Sequence, residues 1–422
     1  MITEEDLEII GAQPLTAWDK VKIVGIVFLY PIVFAYQLAR FLLPHHPQRA
    51  LHWRQKALLA GIHAANAFRS QKRITYAAGH ARTTNASLRA YAAKHRAHGL
   101  EHREVLAPVD PASSSNPATG QPVPPPTLHF FSGPWLADTP GAGPVVLYAH
   151  GGGYLEPLVP SAHVPLARGV ARGCAARSLV FLTYALCPAA QYPAQLVQGV
   201  AALRHLLDVE RVRPGDLVLA GDSAGAHLMA SLLAHAIEPS PSAPPLCFGG
   251  EQLRAAVLLS PWFTWTDAAS LGASECDFLD GADVARRVTV LRPRVDEVWC
   301  EVVAAEGARQ VWERVFATTD EAECGKPLVK RLLVTASDSE IMYRDAKVFA
   351  VEYAGATIVV VGGEGKDEAD MKARLAVVES EARVFAVGVR EAHVQPGLDE
   401  AVGYHGDGTW RALQTFMSSL RD

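Results

Sequence analysis

Closely spaced cysteine pairs are missing from this sequence. Its 422 residues include six cysteines, and no two of them stand in a C-x-x-C arrangement. This scatter disfavours a structural zinc site and a disulfide-rich scaffold, because both use several cysteines at short spacings. The cysteines leave the redox compartment of the protein undecided.

An excess of positive charge is also lacking. Charged residues make up 20% of the chain, and its formal net charge is -5. Because nucleic-acid binding needs a basic surface, no nucleic-acid partner is expected. A small or neutral ligand is the better expectation.

One long apolar segment lies near the N-terminus, and no signal-peptide cleavage site follows it. Ile23 to Leu43 is a run of 21 residues interrupted only by Tyr30, Gln37 and Arg40. About 20 helical residues cross the hydrocarbon core of a bilayer, so the run predicts a retained membrane anchor. An apolar helix that lies in the membrane interface or covers a substrate pocket is the alternative.

The orientation of this segment stays open. Basic residues flank it on both sides, and their balance weakly places the body of the protein in the cytosol. The sequon Asn85-Ala86-Ser87 would be used only if that part of the chain faced the lumen. We expect a membrane-associated protein in the endoplasmic reticulum, with the side of the membrane undecided.

Two patterns that would indicate a bound metal or phosphate are incomplete. His95, His98 and His102 have spacings that share one helix face, but Gly99 interrupts the run, which favours a solvated helix end. The glycine-rich segment 362–366 lacks the first glycine and the final Ser/Thr of a phosphate loop. Neither a metal nor a cofactor is expected.

Composition divides the chain into four parts. These are a tail with the anchor at 1–44, a helical cap or N-terminal layer at 45–109, a Pro/Ser-rich linker or loop at 110–126, and a catalytic body at 127–422. Insertions in the catalytic body are expected at 261–330, over the site, and at 360–383, as a surface excursion.

Short apolar runs alternate with helical patterns in the catalytic body. The predicted strands lie at 128–132, 145–149, 179–183, 217–220, 255–260, 332–335 and 384–389. The predicted helices lie at 164–172, 196–208, 224–237 and 345–353. This alternation predicts an α/β fold with a mostly parallel, doubly covered sheet, whose sites form at the carboxyl ends of the strands.

The segment from Val218 to Leu228 is typical of a buried strand, a sharp turn and the start of a helix. Ser223 lies at the turn, within the sequence Gly-Asp-Ser-Ala-Gly of residues 221–225. Small residues around a serine allow the tight reversal of a nucleophile elbow, which leaves the hydroxyl exposed. An ordinary N-capping serine is the alternative.

Three consecutive glycines follow the strand at 145–149. They leave backbone N–H groups free to converge on the oxyanion that forms when a serine attacks an ester, and each such donor is worth about 3–4 kcal/mol. We predict an oxyanion hole formed by Gly151, Gly152 and Ala224, with His150 fixing the loop. The candidates for an apolar substrate wall, which are equally candidates for ordinary core, are Tyr154, Trp262, Phe263 and Trp265.

A serine nucleophile needs a histidine base that is oriented by a carboxylate. His393 lies in the loop after the last predicted strand and is favoured over His405, which is nearer the following helix. The acid is expected after the strand at 332–335, where Glu340 is favoured and Asp338 is the alternative. The order serine, acid, histidine is typical of α/β-hydrolases.

Taken together, these motifs resemble those of the hormone-sensitive-lipase-like group of α/β-hydrolases over roughly residues 127 to 420. The resemblance rests on HGGG at 150–153, GDSAG at 221–225 and SPW at 260–262. The group usually carries its acid in Asp-Pro-Leu, whereas Glu340-Ile341-Met342 resembles a variant of fungal members. The layout with an N-terminal membrane segment is similar to that of fungal steryl acetyl hydrolases.

The resemblance implies an α/β-hydrolase fold with a helical cap. It implies a serine carboxylic-ester hydrolase that forms an acyl-enzyme and acts without a cofactor on lipophilic, short-acyl esters such as acetylated sterols. A non-catalytic binding protein on the same fold and an acyltransferase are the alternatives. The segment from 360 to 381 separates acid and histidine more widely than is usual in the group.

Overall fold

A nine-stranded sheet lies at the centre of the described part of the chain. The computed structural model describes residues 16–68, 83–117, 119–136, 143–266, 271–291, 296–316, 326–363, 367–406 and 408–421. The strands are β1 Glu101–Leu106, β2 Thr127–Ser132, β3 Val145–Ala149, β4 Ser178–Thr183, β5 Leu217–Asp222, β6 Leu253–Leu259, β7 Val329–Ser337, β8 Thr357–Val361 and β9 Arg383–Gly388.

The strand order is β1-β2-β4-β3-β5-β6-β7-β9-β8. Strand β2 runs antiparallel to β1 and β4, and every other neighbouring pair is parallel. The central strands β3 and β5 are buried along their whole length, as expected of parallel strands covered on both faces. The predicted α/β-hydrolase sheet is therefore confirmed.

Helices cover both faces of the sheet. They are α1 Ala17–Arg40, α2 Trp53–Ala67, α3 Thr84–His95, α4 His163–Gly173, α5 Ala194–Arg204, α6 Ala224–Ile237, α7 Gly281–Leu291, α8 Ala308–Phe316, α9 Tyr343–Lys347, α10 Glu368–Ser380, α11 Gln395–Val402 and α12 Gly408–Ser418. Successive side chains of a strand point to opposite faces. Val145 and Leu147 accordingly join the core under α5 and α6, whereas Val146 and Tyr148 join the core under α4 and α12.

Two strands were not predicted. Strand β1 lies inside the segment expected to be a helical layer up to residue 109, and it pairs with β2 from Glu101 to Leu106. Strand β8 pairs in parallel with β9, and helix α10 connects the two strands. The described residues of 360–383 thus form the end of β8 and the crossover helix to β9, and the expectation of a surface excursion is wrong for them. His102 lies on β1 and does not share a helix face with His95 and His98.

The N-terminal apolar segment is a helix, α1, that packs along α2. Lys20 to Arg40 is long and apolar enough to cross a membrane. Its N-terminal half is exposed, for example at Phe28, whereas Phe41 just beyond its end is buried against Leu59 of α2. The tail before residue 16, residues 364–366 and parts of the 261–330 insertion lie outside the described residues.

Candidate active site

Ser223 stands on a sharp turn between β5 and α6. Its backbone has φ 51° and ψ -118°, a conformation that costs a non-glycine residue about 1–3 kcal/mol. The turn is tight, because a Cβ on Gly221 would lie 2.5 Å from the carbonyl carbon of Gly225. The Ser223 N–H donates to the Leu259 carbonyl at 2.9 Å, which ties the turn to β6.

The acid and the histidine meet at the ends of two later strands. Glu340 follows β7, and its Oε2 lies 3.3 Å from Nδ1 of His393 in the loop after β9. Both side chains are buried. Burial alone would lower the pKa of His393, but the hydrogen bond to Glu340 and the charge of that carboxylate raise it above its ordinary value.

The alternative acid, Asp338, does not reach the histidine. Its Oδ1 accepts hydrogen bonds from the Arg390 N–H at 2.8 Å and from the Ser339 hydroxyl at 2.8 Å. Asp338 therefore holds the loop that leads to His393. The other alternative, His405, is partly exposed and lies 3.4 Å from Glu400.

Ser223 and His393 line the same cavity. The Nε2 atom of His393 is buried and has no hydrogen-bond partner within the described ranges. In free enzymes the contact between nucleophile and base is often long and tightens only with substrate. The geometry thus brings Ser223, Glu340 and His393 together, although no serine–histidine hydrogen bond is formed among the residues described.

The glycine loop differs by one residue from the predicted oxyanion hole. The Gly151 N–H donates to Oδ1 of Asp222 at 3.1 Å, so it is already engaged. Gly152 and Gly153 line the cavity beside Ser223, whereas Gly151 does not. The expectation of a free N–H group at Gly151 is corrected accordingly, whereas Gly152 and Gly153 line the cavity and Ala224 begins α6 directly after Ser223.

Asp222 is the centre of a buried hydrogen-bond network that holds this loop. Its Oδ1 accepts the Tyr148 hydroxyl at 2.5 Å as well as the Gly151 N–H, and His163 lies 3.6 Å from Oδ2. Burial opposes its ionisation, but His163 and the Tyr148 hydroxyl outweigh burial and lower the pKa of Asp222. Sequence reasoning missed this role, although Asp222 stands inside the GDSAG motif.

His150 is buried, holds the glycine loop as predicted, and is not among the described residues that line the cavity. Burial lowers its pKa to about 3, so the ring is neutral. Nδ1 lies 2.6 Å from the Gly151 carbonyl, and Nε2 lies 3.4 Å from the hydroxyl of Thr84. The Tyr184 hydroxyl donates to the His150 carbonyl at 2.6 Å. Thr84 thereby connects α3 to the glycine loop.

The cavity has a volume of about 400 Å³ and is mostly apolar. Trp262 lines it as predicted, together with Phe278, Met342 and the α2 side chain Leu58. Tyr154 lies deeper, where it stacks on Trp265 and its hydroxyl contacts Nδ1 of His227 at 2.8 Å. Tyr154 packs in the buried core and is not among the described residues that line this cavity, although it lines a separate, smaller cavity together with Trp265.

A buried charged group also borders the cavity. Arg287 of α7 donates from Nη2 to Glu156 at 3.0 Å and from Nε to Asp283 at 3.1 Å. Its guanidinium would meet a Cβ placed on Gly153. The sequence offered no signal for this cluster, because it joins the glycine loop to a helix about 130 residues further on.

A serine on a strand-to-helix turn, with an acid and a histidine after later strands, is the arrangement that defines the α/β-hydrolase class. The chain belongs to this family, since its residues 146–362 match the family described as alpha/beta hydrolase fold. The resemblance suggested by the HGGG and GDSAG motifs is thus confirmed.

The chain is also similar in sequence to a protein named as an acetyl-hydrolase. An acetyl-hydrolase from Streptomyces hygroscopicus is 34% identical over 167 residues, which are 38% of this chain and 50% of the relative. The match therefore spans about half the length of that relative.

Solved structures of esterases share the fold. An esterase from the bacterial hormone-sensitive lipase family aligns with a TM-score of 0.51 and 18% identity, over 88% of this chain and 99% of the esterase. A Pyrobaculum calidifontis esterase aligns with a TM-score of 0.54 and 16% identity, over 86% and 97% respectively. At these identities the likeness establishes the fold.

Proposed function

We propose that this protein is a serine carboxylic-ester hydrolase. The observation that carries the proposal is the buried Glu340–His393 pair. His393 lines the same cavity as Ser223, and its Nε2 has no hydrogen-bond partner among the described residues. The similarity to an acetyl-hydrolase and to the esterase fold supports the same activity.

The proposed reaction has two halves. Ser223 Oγ attacks the ester carbonyl carbon while His393 Nε2 takes the hydroxyl proton, and Glu340 holds the imidazole through Nδ1. The N–H groups of Gly152, Gly153 and Ala224 stabilise the oxyanion. His393 then protonates the departing alcohol. Water, deprotonated by His393, then attacks the acyl carbon. As the bond from that carbon to Ser223 Oγ breaks, His393 returns the proton to Oγ, which releases the carboxylic acid and restores both side chains.

We further propose a lipophilic substrate with a short acyl group, such as an acetylated sterol. The residues that line the cavity with Ser223 include Trp262, Phe278, Leu279 and Met342, which favour an apolar alcohol part. The acetyl-hydrolase relative favours an acetyl group as the acyl part.

Membrane association through residues 23–43 belongs to the same proposal. The support is contact: α1 packs along α2, and Leu58 and Ile62 of α2 line the catalytic cavity. A membrane that holds the exposed apolar face of α1 would lie near the cavity and its lipophilic substrate. The endoplasmic reticulum is the proposed membrane, and cell fractionation against marker proteins tests it.

Replacing the nucleophile tests the activity. We expect Ser223→Ala to lower the turnover of p-nitrophenyl acetate by about 10⁴-fold or more. Ser380→Ala, at the exposed end of α10, is the matched control and should retain full turnover. A fluorophosphonate probe should label the wild type and the control but not Ser223→Ala.

Three outcomes would contradict the assignment. Undiminished turnover in Ser223→Ala would exclude Ser223 as the nucleophile. A folded wild type that neither turns over esters nor reacts with the probe would indicate a non-catalytic binding protein on this fold. Transfer of the acetyl group to an added alcohol in preference to water would indicate an acyltransferase.

A further inference from the structure

Two histidines and a glutamate converge on the β1–β2 hairpin, away from the catalytic cavity. Glu104 of β1 stands opposite His129 of β2 in the antiparallel register, and His102 lies two residues before Glu104 on the same face. One ligand atom from each of the three side chains lies within 4.8 Å of the other two. We propose that His102, Glu104 and His129 bind a divalent transition-metal ion with the ligand preference of zinc.

The two imidazoles face each other through their ring nitrogens. Nε2 of His102 lies 2.9 Å from Nδ1 of His129. Two histidine nitrogens bound to one tetrahedral zinc ion at about 2.0–2.1 Å would lie about 3.3 Å apart. To admit the ion, the rings need to separate by a few tenths of an ångström, and the proton that His102 Nε2 shares with His129 has to move to His102 Nδ1 or to solvent.

Asn85 of α3 fixes the tautomer that a metal ligand needs. Its Oδ1 lies 2.8 Å from Nε2 of His129, and its Nδ2 donates to the Thr127 hydroxyl at 3.3 Å. Since an amide oxygen only accepts, the His129 proton lies on Nε2 and the lone pair of Nδ1 points at His102. Metal-binding histidines are commonly held in this way through the nitrogen that does not bind the metal.

Glu104 is the proposed third ligand, and to bind the ion it has to give up part of its ion pair with Arg89. Arg89 binds both of its oxygens, but the arginine side chain is 58% exposed. The pair is partly exposed to solvent, so water can replace the guanidinium at one Glu104 oxygen and leave that oxygen for a metal. Two histidines and one carboxylate are a ligand set that zinc uses with a fourth position left to water.

The site would stabilise the fold. It joins the sheet to α3 through Asn85, and the neighbouring Thr84 holds Leu158 N–H at 3.1 Å and contacts His150 of the glycine loop. The three ligands are not among the described residues that line the catalytic cavity. Metal binding is therefore expected to stabilise the fold with little direct effect on ester chemistry.

Calorimetry on tag-free, chelator-stripped protein tests the proposal. We expect one Zn²⁺ per chain, and a rise in Tm of about 3 °C when free Zn²⁺ exceeds Kd by 100-fold. Replacing zinc by Co²⁺ should give the visible d–d absorption of a histidine-bound tetrahedral ion. Absence of Zn²⁺ binding by the folded wild type would overturn the proposal.

Variants locate the ion. His102 and Glu104 lie on the partly exposed strand β1, where substitutions are tolerated best. The variants His102→Gln and Glu104→Gln should each weaken Zn²⁺ binding by about tenfold or more. His98→Gln, in the turn before β1, is the matched control and should bind as the wild type does. Arg89→Gln should bind at least as tightly, because it frees Glu104. Unchanged binding in both ligand variants would place the ion elsewhere and contradict the site.

Discussion

Two carboxylates lie near each other in the chain, and only one of them forms a hydrogen bond with His393. Glu340 and Asp338 are two positions apart, yet only Glu340 reaches His393, because Asp338 accepts the Arg390 N–H. The sequence favoured Glu340 but could not exclude Asp338, since both follow the same strand. The contact of the Gly151 N–H with Asp222 is a similar case, because it depends on a side chain that folds back across the turn.

The pH dependence of turnover follows from the raised pKa of His393. The base must be neutral, so kcat/KM for p-nitrophenyl acetate should fall as the pH drops through a midpoint above the ordinary value of 6.5. In Glu340→Gln the stabilising carboxylate is lost, so the midpoint should move down and kcat should fall by about 10³- to 10⁴-fold.

Asp338→Asn is the matched control for this experiment. Asparagine keeps an oxygen for the Arg390 N–H, so turnover should stay within about twofold of the wild type. A larger loss in Asp338→Asn than in Glu340→Gln would reverse the assignment of the acid.

The apolar central strands of the sheet were predictable from the sequence, whereas its two edge strands, β1 and β8, were not. Strands β3 and β5 are buried throughout and carry apolar residues on both faces. Strand β1, with the sequence EHREVL, is only partly buried and therefore lacks the apolar signal of a core strand. Strand β8 is apolar, but its place beside β9 depends on a crossover through α10 that no local pattern indicates.

One face of helix α1 packs on α2, and the opposite face is apolar and exposed in the described chain. Phe28 is 72% exposed, and Val24 and Ile32 are exposed near it. Changing Val24, Phe28 and Ile32 together to serine should move the protein out of the membrane fraction in vesicle flotation, because the buried apolar area is lost. Turnover of the water-soluble ester p-nitrophenyl acetate should not change.

Phe41→Ala provides the contrast for that variant. Phe41 is 2% exposed and packs on α2, so its removal should lower the free energy of unfolding by about 3–5 kcal/mol while flotation is retained. If the triple serine variant still floats with vesicles, α1 is not the membrane-binding element.

The whole molecule contains a buried acid outside the catalytic group, Glu301, behind the 260–266 segment. Its carboxylate accepts the Trp265 N–H at 3.0 Å and the Thr266 N–H at 3.2 Å, and burial raises its pKa to about 7. This pKa exceeds the value of 4.5 for the unfolded chain. Protonated Glu301 therefore contributes fully to the free energy of unfolding below about pH 4.5, and this contribution is lost as the pH rises to about 7.

Glu301→Gln should remove this pH dependence. Glutamine keeps an oxygen for the two N–H donors but does not titrate. Between pH 5 and pH 8, urea unfolding in detergent should show the wild type losing up to about 3 kcal/mol relative to the variant. Glu379→Gln, on exposed α10 surface, is the control. Parallel stability curves for wild type and Glu301→Gln would contradict the assignment.

Because β8 pairs with β9, β8 and not β9 is the edge strand at this end of the sheet. Strand β9, which leads to His393, is hydrogen-bonded to β7 on one side and to β8 on the other. The outermost position falls to β8, where Ile358 is 45% exposed. Local opening events concentrate at such outer strands, where few contacts resist them. One strand thus separates β9, and the proposed base His393 that follows it, from local opening at the edge of the sheet.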